Sequence, residues 1–192
     1  ENVPRDPAEQ VWNFIEEELE LAMRQLGTSK SYYYVSYDAA VALMARVKLS
    51  RGKKTEAVEL AESLIGKYEL DDFEKIFRKE ANTEIIFAFE NRSEESGINI
   101  SDLFYTYAHE NKGTGDYYPT KDLQELFSDD DKRKAITFTN VAGQVLFNKY
   151  PSGQTGKDPV IVSRVAEMYL ISAEAQGRID GLARLNELRE TR

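Results

Sequence analysis

Cysteine is absent from the 192 residues, which excludes disulfides, thiolate-ligated zinc, iron–sulfur clusters and thiol nucleophiles, and leaves the redox compartment open. A single histidine, His109, excludes any site that needs two imidazoles. Long apolar runs are also missing. The longest, Ala39–Ala45, is far below the roughly 20 residues of a membrane span. Positive charge is scarce, with Lys+Arg 25 against Asp+Glu 34 and a net charge of −9. An acidic surface repels phosphate backbones, so nucleic acid is not an expected partner. The chain opens at Glu1 with no visible leader, and any processed leader is expected to have been removed already.

What is present describes a globular chain. Hydrophobic residues make up 41% and charged residues 31%, too apolar a mixture for a disordered segment. The length corresponds to one domain, or one with a small second unit, at roughly 150 residues per domain. A chain of this size buries about 70% of its unfolded surface, enough for a core without staples. Tyrosine (11) and phenylalanine (9) are plentiful, and the one tryptophan, Trp12, is expected to pack at or beneath the core edge.

The hydrophobic pattern is mainly helical. Asp6-Pro7 reads as a capped helix start, and Val11, Phe14, Ile15, Leu19, Ala22 and Leu26 form an amphipathic stripe ending at Gly27. A helix is expected over about Tyr37–Ser50, with Ala40, Leu43, Met44 and Val47 on its buried face. After Gly52 a second follows over Lys54–Ile65, with Ala57, Leu60, Ala61 and Leu64 facing it. The Gly turn and facing alanines describe an antiparallel pair with tetratricopeptide-like spacing. Asp71-Asp72 can cap a short helix through Phe73, Ile76 and Phe77. Glu84–Phe89 is β-rich and short and reads as a buried strand. Pro119 restarts a helix with Leu123, Leu126 and Phe127, and residues 136–139 and 144–150 can form a hairpin across Asn140–Gly143. Val160–Ala175 reads as one helix, burying Val162, Val165, Ala166, Tyr169, Leu170 and Ala173. Gly177 closes it, and Ile179–Arg189 makes another, with Leu182, Leu185 and Leu188. The fold class is therefore mainly α, with tetratricopeptide-like antiparallel helix pairs and a minor β-hairpin and strand element.

Near-matches to catalytic motifs fail for physical reasons. Gly153 through Gly156-Lys157 lacks the phosphate-loop spacing, and Asp158 stands where a hydroxyl should hold magnesium. His109-Glu110 lacks a second histidine, and Ser50-Arg51-Gly52-Lys53 sits on the turn of a helix pair. A serine triad would need His109 on a rigid element, not in a long loop. Asp129–Asp131 offers hard oxygen ligands for calcium, but an Asp capping the next helix with Arg133 as counter-charge accounts for it. Arg164 and Glu167, three residues apart on an apolar helix, read as an ion pair that fixes packing. No catalytic residue, metal site or cofactor is assigned, and the chain is not expected to be an enzyme.

Residues 91–119 are the longest irregular stretch and carry Phe104, Tyr105, Tyr107, His109, Tyr117 and Tyr118 among Asn99, Asn111, Asp116 and several glycines. Sugar rings have apolar faces that stack on aromatics, and hydroxyls that bond to Asn and Asp. Candidate glycan-binding residues are therefore Asn99, Tyr105, Tyr107, His109, Asn111, Asp116, Tyr117 and Tyr118. The plainer alternative is a loop that packs its aromatics onto the helices.

Four segments, taken in order, resemble the SusD/RagB family. Ala39-Ala40-Val41-Ala42-Leu43-Met44-Ala45-Arg46-Val47-Lys48-Leu49, with Gly52 and Ala57, is similar to the family's alanine-rich helix. Glu84-Ile85-Ile86-Phe87 resembles its E-I-I-F strand, and Asp131-Lys132-Arg133 its D-x-R step. Arg164-Val165-Ala166-Glu167-Met168-Tyr169-Leu170-Ile171-Ser172-Ala173-Glu174-Ala175 followed by Leu185-Asn186-Glu187-Leu188-Arg189 resembles its R-x-A-E-x-x-L-x-x-A-E-A … L-N-x-x-R signature, the most specific of the set. The resemblance covers roughly residues 7–190. It implies a non-enzymatic, lipid-anchored protein of the Gram-negative outer-membrane surface, which binds a glycan and passes it to a TonB-dependent, SusC-like transporter. Some relatives capture peptides instead. The family's ligand-binding aromatics come partly from loops after the E-I-I-F strand, here residues 91–119. Residues 1–192 are expected to form a single SusD/RagB-like domain. The family's leader, lipidated cysteine, first helices and segment after L-N-x-x-R are not in this sequence, so any membrane attachment would run through an anchor outside it. The alternative function is a tetratricopeptide-like scaffold whose helix-pair groove holds a peptide or protein partner.

Overall fold

A computed structural model describes residues 5–28, 31–78, 83–92, 94, 104, 115–152 and 158–192. Its centre is the helix pair α2 (Tyr37–Ser50) and α3 (Lys54–Ile65), which match the boundaries predicted from the periodicity. Ser36 caps α2 by accepting a hydrogen bond from the Ala39 N–H at 3.3 Å. Ala42, Ala45, Ala57 and Ala61 are buried where the helices meet, and their small side chains permit close approach. Leu64, Val165 and Met168 fill the layer beyond. Leu43, predicted to be buried, is 42% exposed, because the alanines around it already form the packed face.

α3 packs most extensively on α7 (Val165–Asp180) as well as on α2, and α8 (Leu182–Glu190) folds back on α7. The helical backbone breaks at Gly177, where the sequence predicted an end, and resumes for a few residues before α8. Gly181 is required for close approach, since a Cβ there would lie 2.0 Å from the Ala173 carbonyl oxygen. Leu170 points outward (48% exposed), and Met168, Ile171 and Ser172 take the buried face instead.

The predicted strand is present as β1 (Ile85–Phe89), but its partner was predicted as helix. β4 (Val160–Arg164) pairs antiparallel with β1, placing Ile85 opposite Arg164 and Phe89 opposite Val160. The β-branched run Val160-Ile161-Val162 favours extended backbone, and a buried β1 needs a partner for its amides. Arg164 is still extended (φ −137°, ψ 154°), so α7 begins only at Val165.

α1 (Ala8–Gln25) also departs from expectation. Pro7 occupies the N-cap position and no side chain caps it, while Val11 and Phe14 are exposed and Ile15, Leu19, Ala22 and Leu26 are half-buried. Trp12 is half-buried. The buried residue of α1 is Glu16, which accepts from Lys48 Nζ (3.1 Å) and Lys53 Nζ (2.8 Å). Its Oε1 makes no hydrogen bond, although Arg51 Nη1 lies 3.1 Å away. Thus α1 is held on α2 by ions as much as by apolar contact.

The second core cluster joins the short α4 (Phe73–Phe77) to Ile85, Ala88 and Ile136. Asp72 caps α4, as the sequence predicted. Ile136 belongs to α6 (Lys132–Thr137), which runs directly into the hairpin β2 (Phe138–Val141) and β3 (Gln144–Phe147). The hairpin turns through Ala142 and Gly143, both at positive φ (53° and 85°), the backbone that matches strand twist. Leu146 is fully buried under it.

The predicted Arg164–Glu167 pair does not form, because the two residues sit on different elements. Glu167 binds Arg46 of α2 in a bidentate pair (2.6 and 2.7 Å). Arg164 donates to Glu84, whose side chain is fully buried, at 2.8 Å. Glu84 also accepts from Arg192 (2.8 and 2.7 Å) and from the Asp71 N–H (3.2 Å). Removing one partner of such a buried set leaves charges unpaired, so Glu84→Ala is expected to destabilise the fold by about 3–5 kcal/mol in urea titrations. A loss below about 1 kcal/mol would contradict the assignment.

Burial alone would raise the carboxyl groups of Glu16, Glu62 and Asp71. Hydrogen bonds from Lys53 and Lys48, from Arg184 and Ser172, and from the Asp72 and Thr83 amides with Lys75 outweigh burial and hold them low. A carboxyl depressed in the folded state contributes stability above its ordinary value and loses it as pH falls through the folded value. The urea midpoint is therefore expected to hold above pH 4.5, the ordinary value for Glu16 and Glu62, and to fall progressively below it. In Glu16→Gln this acid limb becomes shallower.

Candidate functional site

Of the candidate residues, Asp116, Tyr117 and Tyr118 lie within the described structure. Asn99, Tyr105, Tyr107, His109 and Asn111 lie outside the described residues. Tyr117 is 57% exposed and Tyr118 43% exposed, on a segment fastened at its C-terminal side. Pro119 is buried there, and its carbonyl accepts from the Gln124 side chain at 3.0 Å. Thr120 then caps α5 (Lys121–Glu125) by accepting from the Leu123 N–H at 3.2 Å. Leu126, predicted for the apolar face of this helix, is exposed.

Phe104 packs against Tyr117, their tilted rings 6.0 Å apart. It packs in turn on Phe147 of the hairpin at 5.4 Å, Phe147 lies 6.0 Å from Phe138, and Phe138 meets Phe127 at 5.1 Å. Tyr117 is thus the outer member of a row of packed rings reaching across the hairpin to the end of α5. Sequence reasoning placed Phe104 in the aromatic loop without a distinct role. Its supporting function follows from ring packing against residues that lie far along the chain.

Asp131 caps α6, accepting from the Arg133 N–H at 2.9 Å, and its carboxylate binds the Arg133 guanidinium. Asp129 pairs with Lys134 at 2.7 Å. The capping reading of this acidic run is what the structure shows. Among the described residues no three His, Asp or Glu groups converge as metal ligands would. No described helix is long and apolar enough to cross a membrane.

An apolar trough of about 310 Å³ lies between α1, α2 and the β1–β4 pair, with Leu43, Val35 and Phe89 at its exposed rim. It shares α2 with the helix pair whose groove the sequence offered as an alternative site, but no residue of α3 lines it.

No family model matches the sequence, and no curated protein matches it. Solved structures do match. A SusD superfamily protein from Bacteroides vulgatus superposes with a TM-score of 0.78 at 27% identity, covering 100% of this chain. The chain is SusD-like. Surface glycan-binding protein A from Bacteroides uniformis gives a TM-score of 0.80 at 19% identity over 98% of the chain. Surface glycan-binding protein A from Bacteroides thetaiotaomicron, in complex with laminarihexaose, gives 0.77 at 18% over 95%. These last two likenesses concern the fold. The SusD-like chain spans about half the length of these neighbours, 48%, 51% and 53% of them. The helical, tetratricopeptide-like architecture read from the sequence is the architecture of this fold.

The exposed tyrosines contribute little to this SusD-like fold. Tyr117→Ala and Tyr118→Ala are each expected to change stability by no more than about 1 kcal/mol. Leu146→Ala, which empties the space under the hairpin, is expected to cost about 2–5 kcal/mol. Chemical denaturation of the three variants checks the contrast.

Proposed function

We propose that the chain binds oligo- or polysaccharide without cleaving it. The observation that carries this is the SusD-like fold, shared with a surface glycan-binding protein in complex with laminarihexaose. The outward tyrosines, Tyr117 packed against Phe104 and Tyr118 next to it in the chain, supply the aromatic shelf that a sugar face requires. Asp116 beside them is exposed and adds a carboxylate for hydroxyls. The proposed site also takes in Asn99, Tyr105, Tyr107, His109 and Asn111 from the same loop. In this reading the protein works at the outer-membrane surface, held by a lipid anchor outside this sequence, and delivers its glycan to a TonB-dependent, SusC-like transporter.

A second reading, a scaffold for a peptide or protein partner, is favoured by the trough rimmed by Leu43, Val35 and Phe89. The two readings separate by mutation. Affinity electrophoresis and calorimetry against a glycan panel that includes laminarihexaose are expected to give binding weakened by about 1–3 kcal/mol, or somewhat less, in Tyr117→Ala or Tyr118→Ala. Glycan binding indifferent to both tyrosines would move the site off this loop, and no binding of any glycan by a folded chain would favour the scaffold. Release of reducing ends from a bound polysaccharide would overturn the non-catalytic assignment.

A further inference from the structure

A cleft of about 670 Å³ opens between α4, α6, β4 and the α7–α8 pair. Its walls carry the cations Arg133, Lys149, Arg164, Arg189 and Arg192 against the carboxylates Asp130 and Asp131. The excess of positive charge runs against the net −9 of the chain. Three of the cations have anionic partners: Arg133 binds Asp131, while Arg164 and Arg192 bind the buried Glu84. Lys149 and Arg189 have no ion pair among the described residues.

Lys149 is the more telling of the two. Its ammonium is half-buried and lies 4.7 Å from the centre of the Phe77 ring, while the Arg164 guanidinium lies 5.8 Å from the same ring. Burial, then repulsion by Arg164 and Arg133, pushes the Lys149 ammonium below the ordinary lysine value. A half-buried cation crowded by cations is unfavourable, and a bound anion offsets the repulsion with a charge-assisted hydrogen bond. Arg189 is exposed and reaches the same cleft from α8. The opposite character is also present: Leu170, Leu185 and Leu188 line the cleft, and Leu170 is exposed. Phe127, the far end of the ring row that begins at Tyr117, stands at the cleft with the Arg133 guanidinium 5.6 Å over its ring. The tyrosine shelf and the cleft are therefore joined by one continuous aromatic row.

We propose that this cleft binds an anionic sugar unit, its carboxylate or sulfate group held by Lys149 and Arg189 and its apolar face laid on Leu170. The inference rests on the glycan-binding reading and narrows the ligand class to acidic glycans.

The test titrates the full chain by calorimetry with oligogalacturonate, a sulfated oligosaccharide, laminarihexaose and inorganic sulfate, at low and raised salt. An acidic oligosaccharide is expected to bind about tenfold or more tighter than the neutral one and to weaken as salt rises. Lys149→Gln and Arg189→Gln are each expected to lower that affinity about tenfold and to leave laminarihexaose binding unchanged. The preferred acidic ligand decides between carboxylate and sulfate. Because Arg189 is exposed, its variant keeps the test informative should Lys149→Gln disturb the hairpin. Tyr117-dependent binding with no preference for charge overturns the cleft assignment and leaves the glycan reading standing. Binding of inorganic sulfate that needs Lys149, with no glycan bound, overturns the sugar assignment and the glycan reading together. No binding of any of the four by a natively folded chain overturns both.

Discussion

The carboxylate of Glu84 has no exposed surface and is held by two guanidinium groups, from Arg164 and Arg192, and by the Asp71 amide. A charge so placed is tolerable only while these partners surround it, and each partner belongs to a different part of the fold. Arg164 ends β4, Asp71 precedes α4, and Arg192 follows α8. Arg192 also donates to the Asp71 carbonyl, and its own carbonyl accepts from the Lys132 N–H where α6 begins. The Glu84 backbone carbonyl, in turn, accepts from the Val165 N–H that opens α7. One acidic side chain thus sets the junction between the helix pairs and the β1–β4 layer.

Around that junction the helices are tied by further ion pairs whose partners lie far apart in sequence. Arg46 and Glu167 join α2 to α7, and Glu62 joins α3 to α8 through Arg184 and to α7 through Ser172. The alanine-lined contact of α2 with α3 supplies the close approach, and the ion pairs specify which neighbour each helix meets. Small-residue contacts alone are permissive, since alanine faces fit many partners. The polar ties remove that degeneracy because a misplaced helix would leave Glu62 or Arg46 unpaired.

The surface features divide along the same lines. Aromatic rings converge on the hairpin side, where Tyr117 and Tyr118 project, and cations converge beside them, although the chain as a whole is acidic. The trough beside α1 and β1 is apolar. Carbohydrate chemistry fits the first two surfaces, because a sugar presents both an apolar face and hydroxyl or anionic substituents. The third fits an apolar segment and belongs to the scaffold reading.

The local pattern by itself determined the α2–α3 pair, the buried strand at residues 85–89, the hairpin and the caps at Asp72 and Asp131. Each depends on neighbours within a few residues, through periodicity, turn chemistry or side-chain reach. The tyrosines at 117 and 118 were legible for a similar reason, as aromatics in a long polar stretch. β4 was not legible, because Val160–Val162 continues an apolar run into a true helix and only the distant β1 calls it into a strand. Leu43 and Leu170 fit a helical face by spacing, yet tertiary packing left them outside. Lys149 carries no motif, Arg189 entered only as the last residue of the L-N-x-x-R resemblance, and the partners that make their surroundings cationic are spread over the last third of the chain. Period and composition record what a residue does to its neighbours along the chain. Which charges end up buried together, and which rings stack, was decided only by the tertiary structure, because those energies depend on distances across space.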